Sequence, residues 1–292
     1  MSDAFATTYG VELLFQATPK IDKTSLVTQV RRRCPDAGLL DPNPATPLIS
    51  LVHPKHPVRL ADAIIPAQTV VVVGNGLLDA RPLEPALQQT WEFPEARSAV
   101  EGCTAAVFVT DLMSSSLEYR ERLTLFQDCL RGVLDELPCA AIHWRHSGRI
   151  VDPVAWRRDY DAADPAQRFF AGAVNVRLFK VTDDSGVHTG ELVMDTLGLA
   201  ALGLVDLQCH FHGLDPGGVA RVLYNTAWYV FCEGDVIADG HTVEGVGLRR
   251  AAKWRCQHQS SLLGPPRGVL DLDPGPEHAP GKRGSLAAPP GR

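Results

Sequence analysis

Apolar residues recur along the chain with two different spacings, and each spacing predicts one kind of element. Short continuous apolar runs predict strands, and apolar positions three and four residues apart predict amphipathic helices. The clearest helix is predicted over residues 119–137. Another is predicted from Asp215-Pro216 to Cys232, because aspartate followed by proline is a typical helix start.

The middle of the chain shows a strand–helix–strand order. Thr104 to Asp111 and Ala140 to Trp144 are apolar segments on either side of the helix over 119–137. This order is typical of a βαβ unit, whose two strands pair in parallel. Further strands are predicted over 11–16, 48–52, 58–73 with a break at Pro66, and 207–212, and a hairpin is predicted over 174–195.

Hairpins combined with a single βαβ unit predict an α+β fold rather than a doubly wound sheet. We expect mixed sheets with a βαβ unit and ferredoxin-like β-α-β-β-α-β elements, with helices packed on one face. Residues 1–102 and 103–272 are expected to form two α+β subdomains that pack as one globular unit. Residues 273–292 are rich in proline and glycine, which predicts a disordered tail.

Composition narrows the class of partner. The 292 residues include 34 Asp and Glu against 28 Lys and Arg, for a net charge of −6. This balance argues against a broad basic surface for nucleic acid, and no apolar run reaches the ~20 residues that a bilayer crossing requires. Seven scattered cysteines without a CxxC pair predict mostly buried thiols in the cytoplasm rather than a disulfide framework.

Three polar residues follow or end the strands of the predicted βαβ unit. They are Asp111, His143 and His146. Ligand sites of parallel sheets form beyond the carboxyl ends of the strands, so these side chains would suit acid–base catalysis if they meet there. The alternative is a hydrogen-bonded loop, which we favour because no third catalytic partner is identifiable.

Two histidines on one strand form the candidate metal site. His210 and His212 are two residues apart and are expected on the same strand face, and Cys256 and His258 could add ligands. A solvated or partner-facing sheet surface is the favoured alternative, since isolated histidines are more often structural. Asp195, beside the glycine-punctuated segment 197–205, is interpreted as a brace for a buried turn.

The helix that begins near Asp215 also has a polar stripe. Arg221, Tyr224 and Asn225 have the i, i+3, i+4 spacing that places side chains together on one helix face. Arginine and tyrosine are enriched at protein interfaces. The stripe is therefore the candidate partner-binding surface.

Several stretches resemble the bacterial domain-of-unknown-function 4261 family. They include AAVFVTDLMSSSLEYRERLTLF, FFAGAVNVRLFKV and MDTLGLAALGLVDLQCHFHGLDP, the last being the most specific. The resemblance covers roughly residues 11–273. It implies a cytosolic bacterial α+β domain without an established activity, so it assigns no catalytic residue.

We therefore expect a non-enzymatic, cytoplasmic protein-binding module without a cofactor. The partner is expected to be another protein, with a toxin or secretion component as the specific hypothesis and an immunity or accessory role for this chain. An acidic inhibitor can gain association rate from a basic partner through electrostatic steering. The alternative is a metal-assisted (zinc) or His/Asp-dependent hydrolase. A third hypothesis is homo-oligomeric assembly through the stripe of Arg221, Tyr224 and Asn225 or through an uncovered sheet edge.

Overall fold

The computed structural model describes residues 8–41, 43, 48–60, 62–74, 83–182, 188–246 and 252–280. These residues form two compact units, divided between Ala173 and Val174. Our predicted boundary, after residue 102, differs from this division. The reason is that Gly10–Phe15 pairs with Ala105–Leu112, so strands from both sides of that boundary belong to one sheet.

The first unit has both helices and strands, as the α+β prediction requires. Its described elements are β1 (Gly10–Phe15), α1 (Lys23–Val30), β2 (Gly38–Leu39), β3 (Leu48–Arg59), β4 (Ile64–Val73), α2 (Glu84–Gln88), α3 (Ala96–Glu101), β5 (Ala105–Leu112), α4 (Tyr119–Glu136), β6 (Ala141–Trp144), β7 (Arg149–Val151) and α5 (Pro153–Ala162).

The seven described strands of this unit form one sheet in the order β2-β3-β4-β5-β1-β6-β7. We predicted that β5 and β6 pair directly in parallel, and this is wrong. Both strands are antiparallel to β1, which lies between them. β5 and β6 are therefore parallel to each other but one strand apart, and α4 connects them. β1 fits between them because five of its six residues are buried.

Helices lie on both faces of this sheet, contrary to the one-face prediction. Phe126 of α4 contacts Trp144 on one face, with ring centroids 5.9 Å apart. Residues of the opposite face, including Leu14 and Ala106, form an apolar cluster with Val100 of α3. Successive residues of the central strands are apolar and point to opposite faces. Each face of the sheet therefore needs helices packed on it to exclude water.

The β3–β4 hairpin differs from the prediction at its prolines. We predicted a break at Pro66, but the strands are interrupted between Arg59 and Ile64. Pro66 lies inside β4 opposite Pro57 of β3, and the register shifts between His53 and Pro57. A pair of prolines is tolerated here because the irregular register removes ladder hydrogen bonds that proline cannot donate.

The second unit contains the predicted hairpin and helix. Its described elements are β8 (Asn175–Thr182), β9 (His188–Leu197), β10 (Asp206–Phe211), α6 (Pro216–Glu233), β11 (Thr242–Glu244), β12 (Lys253–Ser260) and β13 (Gly268–Asp273). This β-β-β-α-β-β-β order differs from the predicted β-α-β-β-α-β elements. The turn predicted between β8 and β9, at 183–186, lies outside the described residues.

The described strands of this unit form a six-stranded mixed sheet in the order β11-β12-β13-β10-β9-β8. β10 and β13 are the parallel pair, and the other pairs are antiparallel. α6 starts as predicted, because the Asp215 carboxylate accepts a hydrogen bond from the Gly218 amide. Among the described helices, none has the combined length and apolar character needed to cross a bilayer.

The predicted disordered tail is described only at its start. Asp273 ends β13, and His278 exchanges contacts with His212, whose amide donates to the His278 carbonyl at 2.9 Å. Residues 281–292 lie outside the described residues.

Candidate functional site

Asp111 is held in a buried ion pair rather than exposed at a strand end. Its carboxylate accepts from Arg122 Nε at 2.6 Å and from Arg122 Nη2 at 3.1 Å. The Tyr9 amide also donates to Asp111, at 2.5 Å. Both charged side chains are at most 5% exposed. Because a guanidinium and an amide already use its oxygens, Asp111 joins β5 to α4 and is not placed to exchange protons with a substrate.

The two histidines of the predicted acid–base site lie apart. His143 Nδ1 is 2.8 Å from the Glu12 carboxylate, and these two residues are opposite each other on β6 and β1. Trp144 and Asp111 point to the other sheet face, because side chains alternate along a strand. His146 stacks on the Tyr9 ring at 5.1 Å, and burial lowers the pKa of its imidazole. The structure therefore brings Asp111 and His146 to the same residue, Asp111 to the backbone amide of Tyr9 and His146 to its ring, and places His143 on the other sheet face.

The four predicted metal ligands are likewise distributed among separate contacts. His210 Nε2 is 3.2 Å from Glu191, and His258 is paired with Asp239 at 2.8 Å. Cys256 is buried in β12, and the His212 backbone bonds to His278. β13 lies between β10 and β12, which separates the first histidine from the last two ligands. Within the described part of the chain, no three His, Cys, Asp or Glu side chains are grouped to hold a metal ion.

The most polar interior of the second unit is a network of two arginines and two aspartates. Arg177 makes a two-pronged contact with Asp195, at 2.9 and 2.5 Å. Arg267 Nη2 donates to the same carboxylate at 2.7 Å, and Arg267 Nε donates to Asp206 at 3.0 Å. Both carboxylates are fully buried. We call these four residues the Asp195 network.

The Asp195 network binds the loop before β13 to the polar face of the sheet. Arg177 donates to the Gly264 carbonyl and Arg267 donates to the Pro265 carbonyl. Asp206 also accepts from the Thr196 hydroxyl and the Leu199 amide, although burial raises the pKa of its carboxyl. The sequence analysis interpreted Asp195 as a residue that holds a buried turn. In the structure Asp195 is buried, but its carboxylate accepts hydrogen bonds from Arg177 and Arg267, and Asp206 is the residue that accepts from the Leu199 amide.

Asp271 is a third acid on this face of the sheet, and it is half-buried. Gln208 Nε2 donates to its carboxylate at 3.1 Å, while the Leu262 amide donates to Gln208 Oε1. Burial raises the pKa of Asp271 to about 6. Here too the polar groups bind each other and the 261–267 loop.

The outer face of α6 is the most distinctive exposed surface of the second unit. Val219, Val222 and Val230 are buried on the sheet side of the helix. On the other side, Arg221 and Asn225 are exposed and Tyr224 is half-buried, in agreement with the predicted stripe. The stripe continues further than we predicted. We define the α6 outer face as Arg221, Tyr224, Asn225, Trp228 and Tyr229.

Trp228 and Tyr229 were missed, although the sequence contains their signal. Both lie four residues after a member of the predicted stripe, at the spacing that continues a helix face. Trp228 is half-buried, and Tyr229 is 48% exposed. Val236, just beyond the helix, is 51% exposed. The Asp195 network had a weaker signal, because Arg177 and Arg267 lie far from Asp195 in sequence.

One of three comparisons with known proteins matches the family that the sequence resembles, over the C-terminal part of the predicted 11–273 span. A comparison with the curated proteins and with the solved structures gives no match to this chain. The family described as a domain of unknown function, DUF4261, matches residues 195–273. This span runs from Asp195 in β9 to Asp273 at the end of β13, and it contains α6 and all of the Asp195 network except Arg177. Over these residues the chain resembles the DUF4261 family, as the sequence analysis predicted.

Proposed function

We propose that this protein is a protein-binding module that captures a partner protein on the α6 outer face. The observation that carries the proposal is the exposed side chain of Tyr229, which lies beside the half-buried Tyr224 and Trp228 on a helix whose opposite side is buried. Tyrosine, tryptophan and arginine are enriched where interfaces lose water completely, and they dominate measured binding energies.

Charge favours a basic partner. Glu233 and Asp235 are exposed at the C-terminal end of α6, next to the aromatic positions. The whole chain carries a net charge of −6. Acidic side chains beside a binding surface attract a basic partner and speed its association. A bacterial toxin or a secretion component remains the specific hypothesis for the partner, and an immunity or accessory role remains the hypothesis for this chain.

Site-specific photo-crosslinking in the cytosol of the source cell tests this proposal. A photoreactive phenylalanine analogue replaces Tyr229 on α6, and in a matched control it replaces the exposed Gln257 on β12. We expect a covalent adduct with one basic protein from position 229 and none from position 257.

Three outcomes would contradict the proposal. They are the absence of an adduct at position 229, equal adducts at both positions, and an adduct that contains two copies of this chain alone. The last outcome would favour homo-oligomeric assembly through the same helix face.

A further inference from the structure

The exposed side of α6 contains a row of side chains spaced four residues apart. Its members are Arg221, Asn225, Tyr229 and Glu233, and all four are exposed. Residues with this spacing form a continuous ridge along a helix, and such ridges are the units by which helices pack against each other. We call these four residues the α6 ridge.

The two ends of the α6 ridge carry opposite charges. Arg221 lies in the N-terminal part of α6 and Glu233 is its last residue, so their backbones are about 18 Å apart along the helix axis. Within the described residues, neither side chain has an ion-pair partner. Glu233 also lies at the negative end of the helix dipole, where an anion is unfavourable. A cation from outside the chain would therefore stabilise Glu233.

The α6 ridge is complementary to itself when a second copy crosses it in the antiparallel direction. Arg221 and Glu233 are equally distant in sequence from position 227, and so are Asn225 and Tyr229. A two-fold axis at this midpoint therefore places Arg221 of each copy opposite Glu233 of the other. It also places each Asn225 amide opposite a Tyr229 ring. Two-fold interfaces use one surface patch twice in this way, whereas a parallel alignment would place like charges together.

We propose that two copies of this chain pair through their α6 ridges while the partner is absent, and that a basic partner displaces the second copy. This inference rests on the proposed function, because it describes how the same helix face is covered before binding. Each copy has a net charge of −6, so two copies repel each other at long range, whereas a basic partner is attracted. Exposed ion pairs are also individually weak. The paired state is therefore easily displaced.

Sedimentation equilibrium of the full chain over a range of concentrations tests the pairing. We expect a reversible equilibrium between monomer and dimer. Arg221→Glu places two acidic pairs in the dimer and Glu233→Arg places two basic pairs, so each should weaken dimerisation by about tenfold or more. An equimolar mixture of the two variants restores both opposite-charge pairs in the mixed dimer, and it should associate as the native chain does.

The matched control is Arg255→Glu, which changes the net charge as Arg221→Glu does but lies on the exposed side of β12. This variant should dimerise as the native chain does. A monomer at every concentration up to about 1 mM would overturn the pairing. So would a dimer that the two ridge variants leave unchanged, a dimer that Arg255→Glu weakens equally, or a mixture of the ridge variants that fails to recover.

The displacement is tested with the basic protein captured from position 229. Added in equimolar amount, it should replace the dimer by a one-to-one complex, and a complex that retains two copies of this chain would overturn the displacement. Failure of the pairing can be told apart from failure of the proposed function. A monomeric chain that still forms the adduct at position 229 would reject the pairing alone. A ridge-dependent dimer without that adduct would reject the proposed partner.

Discussion

Each unit of the protein buries aspartate against arginine, but the two units do so in different ways. In the first, Asp111 and Arg122 form a single pair that joins one strand to one helix. In the second, Arg267 links Asp195 to Asp206, and Arg177 adds a second guanidinium to Asp195. Substituting both members of the pair removes the buried charge from one strand and one helix. The Asp195 network instead connects β8, β9, β10 and the loop before β13.

The comparison shows that the buried aspartates of these two centres join elements of the fold. In both centres the carboxylate oxygens accept from guanidinium and backbone groups at 2.5–3.1 Å. Neither centre has a carboxylate facing an open cleft with a second group poised beside it, as acid–base catalysis requires. On α6, by contrast, Tyr229 is 48% exposed, and this side chain supports the proposal of a binding surface.

The largest effect is expected from Arg267→Ala. This variant leaves Asp206 buried without its cation and removes one of two cations from Asp195. The free energy of unfolding of the second unit should fall by about 3–5 kcal/mol. Amide hydrogen exchange of β9 and β10 measures it, with Arg255→Ala on the exposed side of β12 as the control. Unchanged protection of β9 and β10 would show that the network does not stabilise this unit.

A somewhat smaller effect is expected in the first unit. Arg122→Met leaves the Asp111 charge buried with the Tyr9 amide as its remaining donor, at a cost of about 3 kcal/mol. The double variant Arg122→Met with Asp111→Asn should recover a large part of this loss, because the buried site is then neutral. Amide hydrogen exchange of β1 and β5 measures the loss in the single variant and the recovery in the double variant. A double variant no more stable than the single one would contradict the treatment of this pair as a replaceable unit.

Asp271 makes the stability of the second unit depend on pH. Its carboxyl has a pKa of about 6 in the folded chain, above the usual value of 3.8. Between about pH 4 and pH 6 the folded state therefore binds more protons than the unfolded state, and stability falls as pH rises. The loss is on the order of 2–3 kcal/mol.

The variant Asp271→Asn tests this dependence. It keeps an acceptor for Gln208 but cannot ionise, so it should be more stable than the native chain at pH 7 and should lack this part of the slope. Unfolding of the second unit, followed by urea titration at a series of pH values, measures both. An unaltered slope in the variant would assign the pH dependence to other groups.

The smallest effect on stability is expected on the α6 outer face. Tyr229→Ala removes a side chain that is 48% exposed, so the unfolding free energy should change by no more than about 0.5 kcal/mol. Thermal unfolding measures this change. A large destabilisation would mean that Tyr229 packs within the fold rather than serving a partner.

Local patterns in the sequence predicted much of the fold. The 3.6-residue spacing predicted α4 and α6, and α4 begins at Tyr119 as expected, with Glu118 as its N-cap. The strand-like segments on either side of residues 183–186 predicted the hairpin of β8 and β9. These elements depend on neighbours in sequence, and the pattern of such neighbours is directly visible.

Long-range arrangements escaped prediction for a physical reason. Nothing near β5 or β6 indicates that β1 inserts between them, because strand order is decided by packing across the whole sheet. The Asp195 network joins residues up to 90 positions apart, from Arg177 to Arg267. At the site, helical spacing predicted Arg221, Tyr224 and Asn225, and the same spacing extends to Trp228 and Tyr229, which we missed.

The most direct test of the binding role uses the protein captured at position 229, purified and titrated against this chain. We expect the double variant Trp228→Ala with Tyr229→Ala to bind at least about thirtyfold more weakly than the native chain, since hot-spot residues each contribute about 2 kcal/mol or more. Arg255→Ala should bind as the native chain does. An affinity of the double variant equal to that of the native chain would contradict the assignment of the α6 outer face as the binding surface.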